Sequence, residues 1–316
     1  MSEKALLSLK IVSQNPEGLA PGHRLCAGCA ESIVARQVML AAGPDPCVIG
    51  CATGCLEVAT TIYPFSAWKV PWIHSAFGNV GATMSGVEAA YKSLQRQGRI
   101  SAQHRNFIAF AGDGGTYDIG LQALSGAWER GHRFLTVCFN NEGYMNTGIQ
   151  RSSATPMGAS TTTSPSGESI SGKLQWRKDL IRIANAHRIP YIAQTLPFNM
   201  RMMDLAQRVR KALDSKGPSF INVLSPCSRG WRFEPQNLFK VAEMAVETCY
   251  WPLFEIVDGK WHLNYQPIQK RPIEDFLRLQ DRFKHLFAPG GEIIRAAIQN
   301  KVDMEWETIL KECELK

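Results

Sequence analysis

Residues 107–141 constrain the possible fold more than any other part of the sequence. FIAFAGDGG (107–115) is typical of a buried strand that ends in a glycine turn, and FLTVCFNN (134–141) of a second strand. Between them, Ile119 to Arg130 has a helical pattern that Gly131 terminates. A strand, a helix and a second strand of these lengths form a right-handed βαβ unit. Similar alternation elsewhere predicts an α/β fold, with a mainly parallel sheet flanked by helices.

Two polar residues follow these strands. Asp113 and Asn141 stand at their carboxyl ends, where open α/β sheets bind ligands. A carboxylate, an amide oxygen, a backbone carbonyl and a substrate phosphate together form a typical magnesium–diphosphate site. Glycines would let the backbone turn tightly and approach such a ligand; they are Gly112, Gly114 and Gly115. Tyr117 occupies the position of the third glycine of a dinucleotide fingerprint, so that alternative is disfavoured.

The chain contains nine cysteines, an odd number that argues against a disulfide framework in a chain of 316 residues. Cys26 and Cys29 have the Cys-x-x-Cys spacing that lets two thiolates reach one metal centre. Zinc ribbons and redox dithiols share this spacing. Cys55 and Cys227 each follow a predicted strand, so a parallel sheet would place them on the edge that carries Asp113. Cys51 is the main rival to Cys55 as a ligand. We interpret the remaining four cysteines as small apolar residues: Cys47, Cys138, Cys249 and Cys313.

The segment from GDGGTYDIG to FNNEGYMNTG resembles the diphosphate-binding motif of thiamine-diphosphate enzymes. The longer string EGYMNTGIQRSSATP is similar to β subunits of the pyruvate:ferredoxin oxidoreductase family, within the 2-oxoacid:ferredoxin oxidoreductases. The resemblance runs from about residue 22 to about residue 252. It implies a thiamine-diphosphate-binding fold in which Asp113, Asn141 and the Gly143 carbonyl hold Mg²⁺. It also implies that Asn146 lies near the reacting carbons, as a catalytic and cofactor-binding residue.

Three further segments resemble the cluster-ligand segments of this family: GHRLCAGC, ATGCLE and SPCSRGW. The resemblance implies one [4Fe–4S] cluster, with the ligands Cys26, Cys29, Cys55 and Cys227. The sequence departs from the family at Cys51, where asparagine is usual, and at Gly78, where glutamate is frequent. These departures leave the oxoacid open, and His74 nearby is interpreted as a core residue.

The activity implied by the resemblance is oxidative decarboxylation of pyruvate with coenzyme A to acetyl-CoA, CO₂ and reduced ferredoxin. The partners implied are an α-type subunit, a ferredoxin-like δ-type subunit, a γ-type subunit and ferredoxin. The chain is expected to be inactive alone. Oxalate, 2-oxoglutarate and branched-chain oxoacids remain alternative substrates. A non-redox thiamine-diphosphate enzyme and a zinc-stapled assembly protein remain alternative classes.

Composition adds further expectations. The formal charge of +7 is scattered, with no basic stripe typical of nucleic-acid binding, so an acidic protein partner is favoured. No apolar run reaches membrane-spanning length and no signal peptide is recognised, so we expect a cytoplasmic protein without membrane contact.

We expect a cofactor-binding domain over 1–227 and a partner-packing extension over 228–316. The Ser/Thr-rich loop 152–173 is also expected to cover a partner.

Overall fold

The computed structural model describes residues 8–167, 170–197 and 203–315. Within these ranges, eight strands form one sheet: β1 (Cys47–Ala52), β2 (Trp72–Ser75), β3 (Asn106–Gly112), β4 (Leu135–Asn140), β5 (Tyr191–Thr195), β6 (Ser219–Leu224), β7 (Phe254–Val257) and β8 (Lys260–Leu263). Their order in the sheet is β2-β1-β3-β4-β6-β5-β7-β8. Strands β1 to β6 pair in parallel, and β7 and β8 pair antiparallel, which confirms the predicted α/β class.

Helices cover the sheet, as expected where parallel strands are buried on both faces. The α-helices are Leu9–Val12, Ala30–Ala42, Cys55–Thr60, Val80–Arg96, Leu121–Glu129, Leu180–Ala186, Asp204–Asp214, Ser228–Trp231, Leu238–Glu247, Ile273–Leu277 and Glu292–Glu312. The described residues also form one π-helical turn, Gly114–Asp118, and two 3₁₀ segments, Pro235–Asn237 and Asp281–Phe287. Within the described ranges, every helix is too short or too polar to cross a lipid bilayer.

The predicted βαβ unit is present. β3 pairs in parallel with β4, and helix Leu121–Glu129 connects them. All six residues of β4 are buried, because neighbouring strands cover its edges and helices its faces. The chain passes from β1 outward to β2 and returns to β3 on the other side of β1. This reversal of strand order opens a crevice at the carboxyl ends of β1 and β3, the usual ligand position in such sheets.

The C-terminal part completes this same sheet. A β-hairpin turns at Asp258 and Gly259, whose φ angles of 48° and 80° suit a type I′ turn. Its first strand, β7, pairs antiparallel with β5. A large apolar cluster then joins the strand ends to the C-terminal helices through Trp231, Tyr250 and Phe276. The domain boundary at residue 227 and the packing of 228–316 on a partner stay predictions, but residues 254–263 pack on the chain's own sheet.

The sequence predicts that the Ser/Thr-rich loop, which begins at Ser152, covers a partner. Most of residues 152–161 are instead buried within this chain. Residues 154–156 and 158–161 are buried, and Thr155 is fully so. The Ser160 amide donates to the Arg282 carbonyl at 2.9 Å, which ties the loop to the C-terminal part. For residues 152–161 the prediction is therefore wrong, because the loop fills a space inside the chain where its hydroxyl groups can be hydrogen-bonded.

Candidate functional site

Four adjacent strands present the predicted site residues at one edge of the sheet. Asp113 follows β3 and Asn141 follows β4, and these two strands are neighbours. Cys55 follows β1 and Cys227 follows β6, the strands that flank this pair. Adjacent strands are about 4.8 Å apart, so the ends of β1 and β6 are about 15 Å apart. The inner strands therefore carry the predicted magnesium ligands, and the outer ones carry two of the predicted cluster ligands.

Asp113 is completely buried. Ser152 donates a hydrogen bond to its Oδ2, while Oδ1 has no partner among the described residues. Burial raises the pKa of Asp113 to about 8 because the charged form loses its hydration, although the Ser152 bond opposes this rise. An isolated carboxylate in this position is thus unfavourable, and a cation bound to Oδ1 would stabilise its ionised form.

Asn141 is held by hydrogen bonds through both its side chain and its backbone. Its Nδ2 donates to Glu31 Oε1 at 3.0 Å, and its backbone carbonyl accepts from Trp231 Nε1 at 2.7 Å. Its Oδ1 is buried and, in the described part of the chain, unpartnered. The Glu31 contact assigns the amide orientation, because only the nitrogen can donate to a carboxylate. Asn141 therefore offers a free oxygen, as Asp113 does on the neighbouring strand.

A cavity of about 150 Å³ lies beside these residues. Gly112, Gly114 and Gly143 line it, and Asn146 lines its exposed side. A Cβ at position 112 would meet nothing within 4 Å, whereas one at 114 would overlap the Tyr144 ring. Gly112 therefore borders open space in which a ligand can approach the backbone. Gly115 is buried against the Phe77 carbonyl, 3.2 Å from where its Cβ would stand, so it serves packing of the turn.

Three predicted cluster ligands lie at helix N-termini. Cys29 caps helix Ala30–Ala42, Cys55 is the first residue of its helix, and Cys227 caps helix Ser228–Trp231. Cys227 Sγ also accepts from the Gly230 amide at 3.3 Å. Backbone N–H groups at helix starts favour anionic sulfur, but burial outweighs them and raises the pKa of the Cys29, Cys55 and Cys227 thiols.

The four predicted cluster cysteines are electrostatic neighbours. Burial is the main cause that raises the pKa of the Cys55 thiol, followed by Glu31 and the thiols of Cys227, Cys29 and Cys26. Cys51 is 1% exposed in β1, and burial, then Glu31 and Glu57, raise its pKa. Over residues 8–167, 170–197 and 203–315, no three His, Cys, Asp or Glu side chains stand at the spacing of a metal site.

Two residues singled out in the sequence have ordinary surroundings. His74 is half exposed, and its Nε2 is 2.7 Å from the hydroxyl oxygen of Thr53, which lines the cavity. A Cβ at Gly78 would lie 3.0 Å from the Ile119 carbonyl oxygen, so the turn leaves little room for a side chain. The prediction that His74 is a buried core residue is wrong, because β2 is an edge strand of the sheet and leaves this side chain half exposed.

Sequence reasoning missed Glu31, Ser152 and Trp231, which contact the predicted magnesium ligands. Glu31 offered only a weak signal, because an acidic residue in the first turn of a helix is common. Its burial is unusual, however, and raises its pKa to about 7 despite the hydrogen bond from Asn141.

Comparisons with known proteins identify the family of this chain. Residues 49–223 match the family model described as thiamine pyrophosphate enzyme, C-terminal TPP binding domain. Pyruvate synthase subunit PorB of Thermotoga maritima is 50% identical over 93% of this chain and 91% of its own length. Ketoisovalerate oxidoreductase subunit VorB of Pyrococcus abyssi is 40% identical over 95% of this chain and 94% of its own.

Among solved structures, a 2-oxoglutarate:ferredoxin oxidoreductase from Magnetococcus marinus superposes with a TM-score of 0.55. It is 17% identical and covers 69% of this chain and 73% of its own, which supports the fold alone. The match to the family model spans strands β1 to β6, which carry Asp113 and Asn141. The chain therefore belongs to the thiamine pyrophosphate enzyme family, and within it to the family of 2-oxoacid:ferredoxin oxidoreductase subunits that includes pyruvate synthase subunit PorB.

Proposed function

We propose that this chain is the thiamine-diphosphate and [4Fe–4S] subunit of an enzyme that oxidatively decarboxylates pyruvate with coenzyme A. The observation that carries the proposal is the pair of buried, unpartnered Oδ1 atoms that Asp113 and Asn141 present, among the described residues, on adjacent strands. Buried polar groups usually have a partner, so two unpartnered oxygens side by side at the edge of a cavity are suited to a bound cation. The matching thiamine-pyrophosphate-binding domain supports the identity of that ligand.

The residues fit Mg²⁺ and a diphosphate. Asp113 supplies a hard anionic oxygen and Asn141 a neutral one, both suited to Mg²⁺. The Gly143 carbonyl is the third protein ligand in this proposal. Open space beside Gly112 and the N–H groups of the following turn suit the diphosphate oxygens. Ser152 fixes the Asp113 carboxylate through Oδ2 and leaves Oδ1 available to the cation.

The cysteines are the proposed ligands of a [4Fe–4S] cluster. A cluster of this type takes four cysteine thiolates. The Cys55 thiol is close enough to interact electrostatically with the other three. Burial raises the pKa of Cys29, Cys55 and Cys227, so bound iron would be needed to hold these sulfurs in the thiolate form. Cys26, Cys29, Cys55 and Cys227 are accordingly the proposed ligands.

Bound thiamine diphosphate supplies the carbanion stabilisation that 2-oxoacid decarboxylation requires, and an adjacent cluster accepts electrons one at a time. This chain's own residues bind and orient these groups. Asn146 borders the exposed side of the cavity and is proposed to position the substrate. Phe77, Phe139 and Met145 give the cavity apolar walls that limit water near the reacting atoms.

Pyruvate is the proposed substrate because PorB of Thermotoga maritima, named as a pyruvate synthase subunit, is 50% identical over nearly the whole chain. A branched-chain oxoacid is the second candidate, because VorB of Pyrococcus abyssi, named as a ketoisovalerate oxidoreductase subunit, is 40% identical. Both relatives are named as subunits, which supports action in a complex. The proposed partners are α-type, ferredoxin-like δ-type and γ-type subunits, with ferredoxin as electron acceptor.

The test is anaerobic dye reduction by the purified complex with coenzyme A and a panel of oxoacids. The panel contains pyruvate, 3-methyl-2-oxobutanoate, 2-oxoglutarate and oxalate. We expect the highest kcat/KM for pyruvate and no reduction by this chain alone with its cluster rebuilt. A preference for 3-methyl-2-oxobutanoate would support the second candidate. Pyruvate-dependent reduction by the isolated chain would contradict the proposed partners.

A further inference from the structure

Glu142 stands between two of the proposed magnesium ligands, Asn141 and Gly143. It has a positive φ of 63°, a conformation that residues other than glycine seldom adopt. Its side chain is completely buried. Its backbone amide donates to Asn140 Oδ1 at 3.2 Å, and its carbonyl accepts from Thr155 Oγ1 at 2.7 Å. The backbone of this short loop is thus held in an unfavourable conformation by several contacts, a feature that clusters at ligand sites.

The Glu142 carboxylate receives its partners from the C-terminal part of the chain. Arg282 Nη2 is 2.6 Å from Oε2, across 140 residues of sequence, and the Tyr250 hydroxyl donates to Oε1. Both side chains are buried: Tyr250 is completely buried, and Arg282 is 2% exposed. A buried ion pair of this kind is weak evidence for stability, because removing both charges from water offsets their attraction. Its position within the loop therefore calls for another explanation.

The Arg282 side chain is itself held by two further contacts besides its ion pair with Glu142. Its Nε donates to Gln280 Oε1 at 2.9 Å, and its guanidinium carbon lies 3.9 Å from the centroid of the Trp231 ring. Trp231 in turn donates its indole N–H to the Asn141 carbonyl at 2.7 Å. Arg282 therefore acts on the loop by two routes, directly through Glu142 and indirectly through Trp231 and Asn141.

We propose that Arg282 is a positioning residue for cofactor binding. It holds the backbone of residues 141–143 in its binding conformation before Mg²⁺ and thiamine diphosphate arrive. A preorganised loop binds more tightly because less ordering remains to be done on binding. The C-terminal part, in which Arg282 lies, would then belong to the cofactor site. This inference rests on the proposed function, since it assumes that the loop binds Mg²⁺ and the diphosphate.

The test uses calorimetric titration of thiamine diphosphate into the purified complex after the cofactor and Mg²⁺ have been removed by chelation. Arg282→Met removes the charge, the hydrogen bond to Glu142 and the cation–π contact with Trp231. Arg282→Lys keeps the charge without the planar contact to Trp231. Arg295→Met is the control, because it breaks a partly exposed 2.7 Å ion pair with Glu274 in the same part of the chain, away from the loop.

We expect Arg282→Met to bind thiamine diphosphate at least about tenfold more weakly at limiting Mg²⁺, with part of the loss recovered at saturating Mg²⁺. Arg282→Lys should recover part of the affinity, and Arg295→Met should match the wild type. Hydrogen exchange should show faster exchange of the amides of residues 141–146 in Arg282→Met alone. If Arg282 had only a structural role, both methionine variants would melt at a lower temperature, and the amides of residues 141–146 would not exchange selectively faster in Arg282→Met.

Because Arg282→Met leaves Glu142 buried and unpaired, it can fail to fold. The double variant Glu142→Gln/Arg282→Met removes both charges and serves in that case. We expect it to fold and to show the same weakened binding. Wild-type affinity at limiting Mg²⁺ in any folded variant without Arg282 would overturn the inference. Absence of Mg²⁺-dependent thiamine-diphosphate binding in the wild-type complex would instead overturn the proposed function.

Discussion

The Asn141 amide nitrogen donates a 3.0 Å hydrogen bond to Glu31 Oε1, across 110 residues of sequence. This bond orients the amide so that its oxygen, which has no partner in the described part of the chain, is the atom available to a cation. Glu31 lies two residues after Cys29, so the same helix start also carries a proposed cluster ligand. The two proposed cofactor sites therefore share a structural element.

Replacement of Glu31 tests this relationship. Glu31→Ala removes the acceptor, so the Asn141 amide can rotate, and we expect Mg²⁺-dependent thiamine-diphosphate affinity to fall about ten- to a hundredfold. Glu31→Gln retains an acceptor oxygen and should stay within a few-fold of the wild type. Calorimetric titration of the complex at several Mg²⁺ concentrations measures both. Equal binding by Glu31→Ala and Glu31→Gln would show that the hydrogen bond does not orient the ligand.

Asp113→Ala should reduce thiamine-diphosphate affinity by at least about a hundredfold, because a proposed magnesium ligand is lost rather than a supporting group. The sheet should stay folded. Burial raises the pKa of Asp113 to about 8, so at neutral pH and without a cation this carboxyl does not favour the folded state. Titration calorimetry and thermal melting measure the two effects. Asp45→Asn, before β1 at the opposite end of the sheet, is the control and should bind normally.

Cys55 and Cys51 should differ in their effect on the cluster. Cys55→Ala should remove it, while Cys51→Ala should retain about four irons per chain. The reason is that Cys55 interacts with the other three proposed ligands, whereas Cys51 Sγ lies buried in β1, 3.6 Å from the Ala52 carbonyl oxygen. Iron analysis and visible absorption of anaerobically purified complex provide the measurement. Loss of iron in Cys51→Ala together with its retention in Cys55→Ala would reverse the assignment.

Lys173 should give the chain a measurable pH dependence. It is 2% exposed, and burial lowers its pKa to about 8, with Arg151 adding to the effect. The unfolded chain keeps the ordinary lysine pKa, about 10.4, so between pH 8 and 10 it binds more protons than the folded chain. Folding is therefore favoured as the pH rises through this window.

Lys173→Met isolates this contribution. Relative to the variant, the wild type should gain up to about 3 kcal/mol of unfolding free energy between pH 7 and 10. Urea denaturation of both chains at intervals of one pH unit measures the difference. Lys216→Met, which removes a lysine next to the turn before β6, is the control and should show no such gain. A constant difference between wild type and Lys173→Met across the range would contradict the prediction.

The sequence by itself determined the α/β class and the adjacency of Asp113 and Asn141. Strand and helix patterns are local, and a right-handed βαβ connection leaves little freedom in placing its two strand ends. The type I′ hairpin at Asp258 and Gly259 was predictable for the same reason, since two residues that accept positive φ define the turn.

Only the tertiary structure decided which side chains support the site. Glu31 meets Asn141, Ser152 meets Asp113 and Arg282 meets Glu142 across 110, 39 and 140 residues. No local periodicity encodes such contacts, because they depend on how loops fold back over the edge of the sheet. The burial of residues 152–161 and the union of the C-terminal hairpin with β5 arise in the same way. Both features result from packing between segments that are distant in sequence. Patterns among neighbouring residues do not predict such packing.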